Sequence, residues 1–193
     1  MDIICHRSMS VVAGRSKMRY HFTDSEITKL LKSMVVLTDT REQGNGHVIA
    51  YLDQKKIPHK PMALSYGDYS AMIPKCEELG VFRDTYFTDS VVVERKGSLD
   101  ELATNLSQER KRFENELIRA TGTKIYLMIE NGSYGGIVRS EYRSKYNPKS
   151  YIGTLATFSA RYGLDVNFID KEMAGNFIYH HLYYAVREEL LHG

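Results

Sequence analysis

The segment Val91-Val92-Val93-Glu94-Arg95-Lys96, followed by Asp100, constrains this chain more than any other stretch. Three consecutive valines are β-branched and uniformly apolar, which suits a central strand buried on both faces. Side chains two apart on a strand share a face, so Glu94 and Lys96 project together while Arg95 points away. A carboxylate and an ammonium at the end of such a strand are costly to desolvate unless something compensates them. A hard divalent cation is one compensation, because it takes carboxylate oxygens readily. Lys96 alongside could then hold and polarise an attacking water. The plainer alternative is a solvated strand end. Asp100 has its own plain alternative, as the second residue of a capped helix, where an acid favours the helix dipole.

Two further polar clusters sit at strand ends. Asp39-Thr40-Arg41-Glu42 leaves the apolar run Met34-Val35-Val36-Leu37, and Gly67-Asp68-Tyr69 lies at a bend ahead of Glu94. Each alone reads as turn chemistry. Three acidic strand ends in this order, Asp39, Asp68 and Glu94 with Lys96, are harder to dismiss.

The surrounding pattern supplies the elements. Thr23 with Glu26 makes a capping box for a short helix over 24–33. A strand over 34–37 follows, then a helix over 46–56 with Val48, Ile49 and Leu52 inward, stopped before Pro58. Residues 61–73 read as a hairpin of 62–64 and 69–73, turning near Tyr66-Gly67-Asp68. A strand is expected over 86–93. Ser98 and Glu101 make a second capping box for one long helix to about Ala120, with Leu99, Leu102, Leu106, Phe113 and Leu117 at helical spacing. A strand over 124–129, a helix opened by Pro148, a strand over 166–169 and a last helix capped by Asp170 complete the chain. The fold class is α/β: a mixed central sheet with helices on both faces.

Composition bounds the rest. With 193 residues, 42% of them hydrophobic, the chain suits one domain plus a short extension, read as residues 1–33 ahead of a domain over 34–193. Within that extension residues 1–22 show no period, and the first 17 are expected to be mobile. Its 14 Tyr and 7 Phe give a core that a disordered chain lacks. Cys5 and Cys76 make neither a disulfide framework nor a zinc site. No window approaches a membrane span, and the short apolar pairs before Gly14 are broken by His6 and Arg7, unlike a secretory signal. The expected location is therefore the cytoplasm, with no membrane partner. The net charge of +2 is a small difference between 26 Lys/Arg and 24 Asp/Glu, so affinity for nucleic acid must come from local clusters.

Taken together, Asp39-Thr40-Arg41-Glu42, Gly67-Asp68-Tyr69 and Glu94-Arg95-Lys96 with Asp100 resemble the nuclease domain of the XPF family, structure-selective DNA endonucleases. The resemblance runs from about Val35 to Glu189 and takes in Arg112-Phe113, Ile129-Glu130, Tyr142-Arg143-Ser144-Lys145 and Arg161-Tyr162-Gly163. It implies a restriction-endonuclease-like core of the PD-(D/E)xK type, with Asp39, Asp68, Glu94, Lys96 and Asp100 as the catalytic set. It further implies that Asp68, Glu94 and the backbone carbonyl of Arg95 hold Mg²⁺ or Mn²⁺. Lys96 would orient or activate the water, and Asp39 and Asp100 would support the acidic cluster. The reaction implied is in-line attack of that water on a phosphodiester of branched, forked or flapped DNA, in replication, recombination or repair. Family members usually carry a tandem helix-hairpin-helix module after this domain. The chain ends at Gly193 without room for it, so a stand-alone phage or bacterial member is the expectation. A helicase or single-strand-binding protein would then be a partner, and the resemblance suggests a homodimer through the broad apolar arc of the last helix.

DNA contacts are expected from the nuclease domain itself. Arg139 to Lys149 carries Arg139, Arg143, Lys145 and Lys149 with two tyrosines, a composition suited to clamping phosphates and contacting unpaired bases. Arg112 is a weaker candidate, because Glu109, Glu114 and Glu116 surround it. Arg41, Tyr69 and Arg95, beside the acidic positions, complete the candidate contacts. His180-His181 is not a metal pair, because adjacent helical residues do not share a face. The rival to an enzyme is a DNA-binding or recruiting module that keeps the fold without turnover. A restriction enzyme or mismatch nuclease on the same core is the enzymatic alternative.

Overall fold

A computed structural model describes residues 22–192; the extension expected over the first 17 residues lies outside them. Helix α1, Asp24–Lys32, opens on the capping box read from the sequence, with Thr23 and Glu26 each bonding the other's backbone N–H. It buries Ile27, Leu30 and Leu31. Strand β1 is Val35–Thr38, helix α2 Gly46–Gln54, strand β2 His59–Pro61 and strand β3 Tyr69–Ile73. Then come β4, Thr85–Tyr86, and β5, Val91–Lys96. Helices α3, Leu99–Leu106, and α4, Arg110–Arg119, lead to strand β6, Lys124–Glu130. Helix α5, Tyr134–Val138, precedes α6, Pro148–Tyr162, strand β7, Leu164–Ile169, and helix α7, Ala174–His192. Among the described residues no helix is long and apolar enough to cross a membrane.

The strands form one mixed sheet in the order β2-β1-β3-β5-β6-β7, with β4 also on β3. Strands β5, β6 and β7 run parallel, and β3 runs antiparallel to both of its long neighbours, β1 and β5. The valine run divides as strand alternation requires. Val91 and Val93 join the core layer under α1, α2 and α7, whereas Val92 joins the layer under α3, α4 and α6. Strand β6 divides the same way, Met128 to the first layer and Ile125, Leu127 and Ile129 to the second. Helices on both faces of a mixed sheet are the architecture expected.

Four local expectations are corrected. Residues 61–73 are not a hairpin: β2 pairs in parallel with β1, and β1 lies between β2 and β3. The chain crosses the end of β1, where Thr38 O accepts from Met62 N and Asp39 Oδ2 accepts from Leu64 N, so 62–64 makes no strand with β3. The strand expected over 86–93 is interrupted at Thr88-Asp89-Ser90, whose turn brings the Ser90 and Val91 N–H groups onto Phe87 O. The long helix from Ser98 breaks at Ser107-Gln108-Glu109, where the Ser107 hydroxyl bonds back to Ala103 O at 2.6 Å and competes with the helical ladder. Asp170 makes no side-chain cap; a single tight turn over 171–173 intervenes before α7. The sequence reading also passed over α5, whose Gly135-Gly136 pair hides it from propensity while Ser133 caps it through Gly136 N.

Candidate active site

Alternation carries the last residues of β5 to two different places. Glu94 and Lys96 continue the Val92 face, whereas Arg95 continues the Val91 and Val93 face. Strand β3 pairs with β5 at Tyr69 and Val93, so Asp68, one residue before that pair, arrives beside Glu94. The approach needs Gly67: its φ is +70°, and a Cβ there would lie 2.7 Å from Val92 Cβ. Asp68 N donates to Val93 O at 2.9 Å, and Asp68 Oδ2 accepts from Arg95 N at 2.7 Å. Beyond Val93, β5 has lost its β3 partner. The Arg95 carbonyl, on the same edge as its N–H, therefore faces the Asp68 side.

Asp68, Glu94 and Lys96 thus meet on one face at the carboxyl end of β5. Lys96 Nζ donates to Glu94 Oε1 at 2.5 Å and sits 5.2 Å above the Phe113 ring. Burial works against its charge, but Glu94 and Asp68 outweigh it and hold the ammonium protonated far into the alkaline range. The Asp68 carboxyl is pushed well up by burial first, then by the charges of Glu94 and Glu42. Glu116 of α4 lines a narrow pocket with Glu94, Tyr66, Gly67 and Phe113, and burial together with Glu94 raises its carboxyl too. The site carries an excess of carboxylates over what Lys96 neutralises.

The remaining sequence candidates go elsewhere. Asp39 is buried and fully bonded: Oδ1 accepts from Arg41 N and Nε, and Oδ2 from Arg41 Nη2 and Leu64 N, all at 2.7–2.9 Å. It staples the crossing after β2, and touches the site only through Asp39 N, which donates to Asp68 O at 2.8 Å. Arg41 also donates to Leu64 O. Asp100 turns away to bond the backbone of Arg143 and Ser144.

Tyr69 has no exposed surface, so the DNA contact expected of it is corrected: it follows Asp68 on β3 and falls on the opposite face, inside the core. The DNA contact expected of the Arg95 side chain is corrected as well. Its guanidinium is 9% exposed, donating to both oxygens of Glu130 at 2.7 and 2.8 Å and to Glu42 Oε1 at 2.7 Å. His47 closes this buried network, with Nε2 2.6 Å from Glu130 Oε1. Glu42, His47 and Glu130 were given no role from the sequence. For Glu130 the signal was available, since it follows Met128 on the face that Arg95 also shares. Arg112 and Arg139 are exposed but paired with Glu109 and Glu141, while Arg143, Lys145 and Lys149 face solvent.

Among the described residues no three His, Cys, Asp or Glu side chains gather as a ready-made metal cage. Asp68 and Glu94 nevertheless fit a divalent cation of the magnesium kind, which is held by one or two carboxylates and keeps waters or substrate oxygens in its other positions. With Arg95 N on Asp68 Oδ2 and Lys96 on Glu94 Oε1, each carboxylate keeps one further oxygen for it.

The fold is shared with a solved structure. One solved structure, XPF from Aeropyrum pernix, superposes with a TM-score of 0.57 at 20% identity, over 79% of this chain and 65% of that one. The present chain therefore spans about two thirds of that protein's chain, and the architecture it shares is the restriction-endonuclease-like one. The family model for the ERCC4 domain matches residues 38–181, and the chain belongs to that family of nuclease domains. No curated protein matches the chain.

Proposed function

We propose that this protein is a divalent-metal-dependent DNA endonuclease that hydrolyses phosphodiester bonds at branched, forked or flapped DNA. The observation that supports it best is the meeting of Asp68, Glu94 and Lys96 on one face at the end of β5, with carboxylate charge in excess. Asp68 and Glu94 would hold Mg²⁺ or Mn²⁺, with the Arg95 carbonyl as a further donor. Such an ion supplies Lewis-acid stabilisation of the charge that develops on the phosphate in an in-line displacement. The Lys96 ammonium, favoured by Glu94 and Asp68 beside it, is a hydrogen-bond donor. It orients the attacking water and offsets phosphate charge. Phe113 beneath Lys96 and Glu94 beside it fix that ammonium in place.

The test incubates the protein with end-labelled duplex, single strand, splayed fork, flap and four-way junction, each with Mg²⁺, Mn²⁺ or EDTA. Metal-dependent cutting near a branch point, abolished in Asp68→Ala, is the expected outcome. Binding of the fork without cleavage under either metal would refute the enzymatic reading and favour the recruiting module.

A further inference from the structure

Helix α3 starts just after Lys96, and its first turn reaches in two directions. On one side Glu101 Oε2 accepts from Gly97 N at 2.8 Å, and its other oxygen lies 4.0 Å from Lys96 Nζ. On the other side Asp100 holds the basic segment. Its Oδ1 accepts from both Arg143 N and Ser144 N at 2.8 Å, and Oδ2 accepts from Arg143 Nε at 3.3 Å. One residue earlier, the Leu99 carbonyl accepts from the Tyr151 hydroxyl at 2.8 Å. The Tyr151 ring in turn packs on Tyr142 and Tyr146, with centroids 5.3 and 5.5 Å away. Leu99 and Asp100 are therefore adjacent anchors for the loop that precedes α6.

We propose that Asp100 is a positioning residue: it fixes the segment Arg139–Lys149 to the strand end that carries Lys96, so that Arg143, Lys145 and Lys149 form a rigid clamp for the phosphates of a duplex arm. The proposal rests on the nuclease reading above. It departs from the role implied by resemblance, in which Asp100 supports the acidic cluster, because its carboxylate is spent on Arg143 and Ser144.

The clamp suits a duplex rather than unpaired bases, for two reasons. Tyr142 and Tyr146, the rings that would stack on bases, are committed: Tyr142 donates to Tyr146 O at 2.7 Å, and the Tyr146 hydroxyl lies 2.8 Å from Thr154 Oγ1. Three exposed cations remain. The Arg143 side chain is 94% exposed, and Lys145 and Lys149 pair with no acid among the described residues. Cations on an anchored backbone suit the regular phosphates of a duplex, whereas a flexible single strand offers no regular spacing to match.

The experiment measures anisotropy of a labelled blunt duplex and its matching single strand in EDTA, so that no cutting intervenes. The proteins are wild type, Asp100→Asn, Asp100→Ala and the double variant Lys145→Ala/Lys149→Ala, with thermal melts alongside. Asp100→Ala should weaken duplex binding about tenfold, the cost of ordering released cationic side chains at binding. Asp100→Asn should stay within about twofold of wild type, because its amide oxygen still accepts both N–H groups. The lysine double variant should flatten the salt dependence of log K by about 2 units, one per lost phosphate contact.

Wild-type affinity in Asp100→Ala would overturn the proposal. Equal losses in Asp100→Asn and Asp100→Ala would also overturn it, since charge and not hydrogen bonding would then be what matters. A single strand that loses as much affinity as the duplex would overturn the choice of ligand. If Asp100→Ala does not fold, unchanged duplex affinity in the lysine variant is decisive against the clamp. A wild type that binds no DNA removes the nuclease reading as well; a wild type that binds and cuts, with Asp100→Ala unaffected, removes this inference alone.

Discussion

Replacing Glu130 by Gln should destabilise the protein by about 2–3 kcal/mol, although Glu130 lies on the face opposite Glu94 and Lys96. Its side chain is 1% exposed, and it takes two hydrogen bonds from Arg95 at 2.7 and 2.8 Å and a third contact from His47 at 2.6 Å. Removing one partner of a buried ion pair costs about 3–5 kcal/mol, because the other charge is left uncompensated. Here Glu42, 13% exposed, still holds Arg95 Nη1 at 2.7 Å, which brings the expectation below that range. For a chain of this length about 2–4 °C of melting temperature is lost per kcal/mol, so a drop of about 5–10 °C is expected. Urea unfolding followed by circular dichroism gives the free energy, with an unchanged slope showing that only stability moved. The double variant Arg95→Met/Glu130→Met leaves only the Glu42 charge, 13% exposed, without its partner and should cost less than the sum of its two singles. A Glu130→Gln protein within about 0.5 kcal/mol of wild type would refute the reasoning, as would strictly additive singles. The pH arm has a definite sign. Burial opposes the Glu130 charge, but the bonds from Arg95 and His47 keep its carboxyl below the ordinary 4.5. Its contribution is therefore complete above pH 4.5 and is lost as pH falls through the lower folded value, so the gap to Glu130→Gln should close only in that acid range.

Two further expectations concern the approach of β3 to β5 and the charge of the site. Gly67→Ala combines a φ of +70° with a Cβ 2.7 Å from Val92 Cβ, and should cost about 2–4 kcal/mol in the same urea assay. An unchanged midpoint would show that the chain enters β3 without needing a glycine. Asp68→Asn, measured in EDTA, should be more stable than wild type at neutral pH by about 1–2 kcal/mol, because it removes a buried charge beside Glu94. The sign follows from a carboxyl raised by burial, Glu94 and Glu42: the folded state binds its proton more tightly, so wild-type stability falls as pH rises through the folded value. The advantage of Asn should therefore fade on acidification toward the ordinary 3.8, and equal stabilities at neutral pH would count against an uncompensated charge at Asp68.

How much of this was legible depended on whether the deciding contact was local. Strand alternation through Val91, Val92 and Val93 was enough to separate Glu94 and Lys96 from Arg95, and the two core layers divide on that line. Helical spacing found α3 and α4 but could not see the break between them. Leu99, Leu102, Leu106, Phe113 and Leu117 all reach the same core layer across it, so the period runs on where the backbone does not. The supposed hairpin failed for a different reason. Sequence neighbours were assumed to pair, whereas Asp39, 25 residues away, takes the Leu64 N–H and carries the chain across β1.

The same distinction sorts the candidate site residues. Asp68, Glu94 and Lys96 could be grouped because a bend and an alternation placed them on one face. Asp39 and Asp100 could be recognised as chemically loaded positions, but beyond the local Arg41 their partners, Leu64 and Arg143 with Ser144, lie far along the chain and no period announces them. Tyr69 and Arg95 are the instructive errors. The alternation that put Glu94 and Lys96 together had already sent both of them to the opposite face, against α2 and α7, where an exposed DNA contact is excluded. Three adjacent residues thus serve two layers of the molecule. Glu94 and Lys96 pair with each other on one face, and Arg95 locks the strand end to β6 and α2 through Glu130, Glu42 and His47. A strand end with more carboxylates than Lys96 neutralises on one face is tolerable because the other face is held by a buried, nearly saturated guanidinium. A motif of three residues can therefore be read for its chemistry only after its two faces have been separated.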